Sequence, residues 1–491
     1  MTNPVDLRLP WARAAALALL GVGLALAAFA VPRAEAKIPT LETGVSYVYE
    51  TEPIEFARVK RAGARLVQTP LRWANVAPAN RPVSWDPTDP ADPNYDWGDM
   101  DLWVRRAVAA GLVPVLQVRG APLWAQRCAP RKADTPCEPD PALLAQFAKA
   151  AASRYSGSFS GLPRVRFWQG LNEPNLSLFF MPQYRDGKAA SPFLYRALIN
   201  SFSAAVKSVH QDNLVLLGGL GPIAVPGYTI GPMAFARKLL CMKGRAKPRA
   251  TKSDCDGGVH FDIFDVHPYT TGGPTHTGGP DDVQLGDIPK LKRLITAADR
   301  DGRIKNGYKR TPLWITEFAW DSKPPDPGGL PLKIEAQWTS EALYRTLHAG
   351  VGKFFWFTIV DYEPEPNVPF SISIQAGLYF WAPTLAAQRP KRVFYAFRFP
   401  FVAYPRRHGL FVWGRTPGST RGRVAIQVKG KRGWRTVAKV RANKHGMFQR
   451  TLKGKRYGAN RRGSVRARYQ GVESVPFPMR PVRDFYQPPF G

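Results

Sequence analysis

Between Leu41 and about Arg398 the chain alternates short apolar or β-branched runs with polar or aromatic loops and longer amphipathic segments. The short runs are TGVSYVY at 43–49, ARLVQTPL at 64–71, LVPVLQVR at 112–119, VRFWQGLN at 165–172, NLVLLGG at 213–219, FDIFDVHPY at 261–269, PLWITEF at 312–318 and KFFWFTIV at 353–360. Their length and β-branched content predict strands. MDLWVRRAVAAG at 100–111, PALLAQFAKAAASRY at 141–155, LYRALINSFSAAVKSVH at 194–210 and AQWTSEALYRTLHAG at 336–350 place their apolar positions on one helical face. Several of these stop at glycine, as at Gly111 and Gly350, the residue that enters left-handed geometry without steric cost. Alternation of eight strands with helices over ~350 residues predicts an α/β fold of the (β/α)8 barrel type with insertions. A doubly wound open sheet is the competing arrangement, but no glycine-rich phosphate loop follows an early strand.

After about Pro400 the pattern changes to RVAIQVKG, WRTVAKVRA, GMFQRTL and SVRARYQG, separated by basic, glycine-rich turns. Such spacing predicts a small antiparallel all-β sandwich, with RPKRVFYAFRFPF and VAYPRR carrying the last barrel helix into a linker. The expected organisation is therefore a leader at 1–36, a barrel at 37–400 and a β-domain at 401–491. The leader holds Arg8 and Arg13, then AAALALLGVGLALAAFAVP, then Ala34-Glu35-Ala36, a small-x-small cleavage pattern. That pattern predicts export with a cleaved signal peptide; an uncleaved anchor is the alternative, because the run approaches the length that spans a bilayer. Every later apolar run is too short or too interrupted to span one.

Charge divides the chain further. The formal net charge is +32, and residues 405–491 hold 22 Lys plus Arg against only Glu473 and Asp484, which is 22 − 2 = +20 of it. Asymmetry of this size predicts a separate module able to attract an anionic cell-envelope polymer or acidic polysaccharide, with a merely solubilising surface as the alternative. An exported chain with no nucleic-acid motif is not expected to bind nucleic acid. The four cysteines form two close pairs, Cys128 with Cys137 and Cys241 with Cys255, which in an exported chain suggests local disulfides although three connectivities are possible. Neither pair has zinc spacing or a neighbouring histidine, so no metal is expected there.

In a barrel, catalytic groups stand at the C-terminal ends of the strands. Glu173 closes the fourth run and Glu317 lies in the seventh, 144 residues apart in sequence yet at one mouth if the barrel closes. Paired carboxylates across a cleft are what glycosidic cleavage requires, one to protonate the leaving oxygen and one to attack or to activate water.

The two segments LNEPN and WITEFAW resemble the strand-four and strand-seven motifs of clan A glycoside hydrolases such as families 5 and 39, over roughly residues 40–398. The resemblance implies a cofactor-free retaining glycosidase acting on a β-linked or arabino-configured poly- or oligosaccharide, with Glu173 as acid/base and Glu317 as nucleophile. A non-catalytic carbohydrate-binding protein on the same barrel is the alternative, and a monomer is expected. By the same resemblance Asn172 would hold the sugar 2-hydroxyl, His267 and Tyr269 would orient the nucleophile, and Trp356 would floor the sugar subsite. The plainer readings are an Asx turn at Asn172, a core histidine at His267 and a core tryptophan at Trp356. Trp124 and Trp320 are further candidates for lining subsites. Where many members of the clan carry an arginine on strand two, QTPLRW has Gln68, and Arg72 or Arg119 would have to supply the charge. Whether cleavage is internal or from chain ends depends on the insertions at 77–97 and 269–282.

Overall fold

The computed structural model of the chain describes residues 38–49, 51–129, 131–251, 257–364, 369, 373–454, 463–479 and 484–489. The leader expected at 1–36 lies outside these residues, as does Cys255. Eight parallel strands make one sheet: β1 Glu42–Ser46, β2 Leu66–Arg72, β3 Val113–Arg119, β4 Phe167–Gln169, β5 Leu214–Leu216, β6 Phe264–Val266, β7 Leu313–Ile315 and β8 Val351–Phe357. Their order is β6-β7-β8-β1-β2-β3-β4-β5, and parallel bridges Leu216 to Ile263 and Leu220 to Val266 join β5 to β6 and close the ring. Helices α1 Pro53–Arg61, α2 Gly98–Ala109, α3 Pro141–Arg154, α4 Ser191–Val209, α5 Pro232–Leu239, α6 Ile288–Arg300, α7 Leu332–His348 and α8 Arg392–Arg398 follow the strands in turn. This is a (β/α)8 barrel.

Local chemistry sets the element ends. Asp140 caps α3 by accepting from the Ala142 and Leu143 amides at 2.8 and 3.2 Å, and Pro141 needs no partner at the first helical position. Gly111 and Gly350 sit one residue beyond the caps of α2 and α7 with φ of +75° and +89°. The predicted strand runs extend further than the ladders at the mouth end. Residues 170–172, 267–269 and 316–318 leave the sheet while remaining largely buried, and so turn side chains towards the mouth instead of pairing.

The barrel interior is layered. Leu66, Val115, Leu216, Ile263, Trp314 and Phe355 form a small apolar core distinct from the larger one under the helices. Two residues further along several of these strands come Gln68, Gln117 and Asp265, and Thr316, all buried. Strand periodicity puts them on the same inward face, so the lumen changes from apolar to polar towards the mouth.

The C-terminal part is two antiparallel sheets. One contains β9 Phe401–Arg406, β10 Gly409–Arg415 and Met447–Lys453; the other contains Gly422–Gly430, Gly433–Ala442, Ser464–Tyr469 and two short strands. Together they make the β-sandwich that follows the barrel. The stretch VAYPRR, expected as linker, begins inside β9; Pro405 is tolerated because β9 is an edge strand paired only with β10. Barrel and sandwich share one compact unit covering 38–491. Arg415 crosses between them, donating to Leu41 O, Thr43 Oγ1 and Phe397 O at 3.0–3.3 Å, and burial lowers its pKa to about 10. The last described residues return to the barrel: Asp484 accepts from the Gly273 amide at 2.6 Å, Phe485 packs on Trp338, and Pro489 O accepts from the Asp321 amide at 2.8 Å. No described helix is long and apolar enough to cross a membrane.

Candidate active site

Glu173 follows β4 by four residues and adopts φ +41°, a left-handed conformation that costs a non-glycine residue of order 1–3 kcal/mol. Its amide donates to Gly218 O at 2.9 Å, and Pro174 disfavours the ordinary helical alternative. The backbone is thus bent so that the carboxyl enters the mouth. Glu317 follows β7 by two residues. Both side chains are buried, and oxygen atoms from Glu173 and Glu317 and a nitrogen from His267 all lie within 4.8 Å of one another.

Tyr269 donates to Glu317 Oε2 at 3.2 Å. His267 Nδ1 stands 2.8 Å from Glu173 Oε1 and 3.5 Å from Glu317 Oε2, so its hydrogen bond goes to the expected acid rather than the expected nucleophile. Burial pushes Glu173 up to about 8, with Arg119 pulling it down. Burial also raises Glu317, to about 7, partly offset by His267 and reinforced by Glu173. Burial raises both carboxyls, and the two titrate as a coupled pair.

A buried chain extends from Glu173. His267 Nε2 is 3.0 Å from Thr316 Oγ1, Thr316 donates to Asp265 Oδ2 at 3.0 Å, and Asp265 Oδ1 accepts from the Gly218 amide at 2.9 Å. Thr316 has one hydroxyl proton to give. With that proton on the Asp265 side, Oγ1 must accept from Nε2–H, which leaves the Nδ1 lone pair facing Glu173. Burial lowers the His267 pKa and favours the neutral ring. The bond between Nδ1 and Glu173 is then made by a proton on Glu173, the form a general acid needs. Reversing every link gives Nδ1–H and an ionised Glu173, the form a general base needs.

Asn172 Oδ1 accepts from Gln117 Nε2 at 2.8 Å, and Gln117 Oε1 accepts from the Tyr47 hydroxyl at 3.0 Å. That orientation presents the Asn172 amide nitrogen as a donor beside Glu173. Gln68 donates to Gln169 Oε1 and is fully buried. Arg72 is tied to Asp134 at 2.7 Å, whereas the charge of Arg119 acts on Glu173 and Glu317.

Two of the expected subsite tryptophans, Trp356 and Trp320, lie in the core instead. Trp356 is fully buried; its Nε1 donates to Ala376 O at 2.7 Å and its ring meets Phe318 and Phe397. It shares a strand face with Phe354, opposite the inward-facing Phe355, and cannot floor a sugar site; one step along a strand reverses the face. Phe357 takes the inward position, against Tyr47, Tyr269 and Tyr362. Trp320 is likewise fully buried, with Nε1 on Gly272 O. Trp124 is partly exposed, its Nε1 bonded to Pro78 O and its ring against Trp73 and Trp85 in the aromatic cluster under the 77–97 insertion. A cleft of about 530 Å³ shares Tyr47 with the site and is lined also by Tyr49, Tyr362 and Trp381. Trp381, half-buried in this cleft, is an indole that the sequence patterns did not single out. Cys128 and Cys137 have sulfur atoms 1.98 Å apart, at disulfide distance.

Searches by sequence match no protein-family model and no curated protein. Solved structures do resemble the chain. A family 39 glycoside hydrolase from the gut symbiont Bacteroides cellulosilyticus WH2 superimposes with a TM-score of 0.52 at 18% identity, covering 84% of this chain and 79% of that one. A glucosidase from Croceicoccus marinus gives 0.50 at 12% identity, covering 85% and 94%. The fold is shared with glycoside hydrolases. At such identities the likeness concerns architecture, and the chemistry rests on the residues at the mouth.

Proposed function

We propose that the chain is an exported retaining glycoside hydrolase that cleaves O-glycosidic bonds of a poly- or oligosaccharide. One observation carries this reading: two buried carboxyls from the ends of β4 and β7 approach within 4.8 Å at the C-terminal mouth of the barrel. Oxygen atoms that close are compatible with direct attack at the short carboxyl separation of retaining enzymes, about 5–5.5 Å. Glu317 Oε attacks the anomeric carbon as the bond to the leaving oxygen breaks and Glu173 gives that oxygen its proton. In the second step Glu173 takes a proton from water, the water oxygen attacks the anomeric carbon, and the ester to Glu317 breaks. Tyr269 steadies the nucleophile, and the His267–Thr316–Asp265 chain accommodates the proton changes of Glu173. In the oxidising, extracytoplasmic setting that export implies, Cys128 and Cys137 would stay paired. The basic sandwich would keep the enzyme near an anionic envelope polymer.

The test is a panel of aryl glycosides and polysaccharides assayed with wild type, Glu173→Ala and Glu317→Ala. Release of reducing ends by wild type and its loss in Glu317→Ala supports the enzyme. Glycan binding that survives both substitutions, with no product from any substrate, would establish a non-catalytic carbohydrate-binding protein instead.

A further inference from the structure

Arg119 ends β3 and, two residues on from inward-facing Val115 and then Gln117, points into the barrel mouth. It makes no hydrogen bond and no ion pair among the described residues, and its Nε is buried without a partner. Its guanidinium lies 4.8 Å over the Phe179 ring, which fixes it by stacking while leaving the hydrogen-bonding edge free. Arg72, its neighbour in register, is already engaged with Asp134. The charge of Arg119 is felt by Tyr47, Tyr49, Glu173 and Glu317, so the guanidinium lies near the carboxyl pair at the mouth.

A partly buried guanidinium with a free edge is an incomplete ion pair, and its natural complement is a planar carboxylate accepting two N–H bonds. We infer that Arg119 binds the carboxylate of a uronic acid residue, making the substrate an acidic glycan. The inference rests on the glycosidase reading above. The C-terminal strands fit the same partner: Arg423 stands directly opposite Arg441 across a strand pair, both exposed. Such like-charge pairs destabilise a sheet on their own and are relieved by a polyanion.

The experiment compares an aryl uronide with its methyl ester, which has nearly the same shape without the charge. Wild type is expected to favour the uronide in kcat/KM by ~10–100-fold, the range for a hydrogen-bonded charge pair. Arg119→Met collapses that ratio towards unity and Arg119→Lys restores part of it. Equal rates on both substrates in wild type, or an unchanged ratio in Arg119→Met, overturn the inference and leave the glycosidase reading intact. If neither compound is cleaved, the glycosidase reading fails for this class and calorimetry decides the inference separately. Uronate binding that disappears in Arg119→Met and persists in Arg119→Lys sustains it, and absence of uronate binding to wild type ends it.

Discussion

Replacing Thr316 by valine keeps the side-chain shape and removes one oxygen from the middle of the chain between Asp265 and Glu173. Two contacts of 3.0 Å disappear. Without the oxygen, Nε2–H of His267 has no acceptor, and the ring turns to the Nδ1–H tautomer, which donates to Glu173. A donor on Glu173 favours its ionised form, so the alkaline limb of the pH–rate profile, set by loss of the Glu173 proton from a pKa of about 8, moves down. A net hydrogen bond contributes about 1 kcal/mol and a pKa unit corresponds to 1.36, which gives a shift of roughly 0.5–1 unit. Asp265 Oδ2 also loses the Thr316 donor in the interior, which adds a stability loss of about 1–3 kcal/mol. The assay is kcat/KM on an aryl glycoside across about pH 5 to 10, with Thr316→Ser as the variant that restores the link. A uniform fall in rate at every pH with the alkaline limb unmoved, or a limb that moves upward, would refute the proton argument and reduce Thr316 to a packing residue.

Wild type should show a narrow bell in kcat/KM, rising as Glu317 ionises near 7 and falling as Glu173 ionises near 8; a broad plateau through both values contradicts the coupled pair. Glu173→Gln should lose the alkaline limb and about 10²–10⁴-fold of activity on glycosides with basic leaving groups, but far less on those of acidic phenols; equal losses on both would remove Glu173 from the acid role. Phe357→Ala should raise KM, whereas Trp356→Phe should lower the melting temperature and leave KM alone; the reverse pattern would restore Trp356 to the subsite. Glu335 is fully buried with neither carboxylate oxygen hydrogen-bonded among the described residues, and burial raises its pKa well above 4.5. Because the folded state holds this proton and the unfolded state releases it, stability falls as pH rises above about 4.5, by about 1.4 kcal/mol per unit until the folded pKa is reached. Glu335→Gln should therefore stabilise at pH 8 and change little at pH 4, and identical melting shifts at both would disprove the linkage.

The barrel was legible because its strands are buried on both faces and read as unbroken apolar runs, and because both glutamates interrupt such runs at the mouth. What could not be read was direction. A run such as KFFWFTIV has no polar partner alternating with its aromatics, so nothing in it separates inward Phe357 from outward Trp356. Asp265 and Thr316 lay in plain view, two residues before His267 and one before Glu317, where strand periodicity could have aligned them. Their link exists only because β6 and β7 are neighbours in the closed ring. The left-handed backbone at Glu173 was equally hidden, since nothing in LNEPN except the proline restricts it.

The return of residues 484–489 to the loops after β6 and β7 makes the order of synthesis part of how those loops are completed. Asp484 and Pro489 supply bonds to Gly273 and Asp321 that no earlier residue makes at those amides among the described residues. A nascent chain can close its barrel once β8 has emerged, yet the mouth loops keep these open amides until the whole sandwich has followed. A chain stopped before Asp484 would be expected to keep its barrel while leaving the Gly273 and Asp321 amides open.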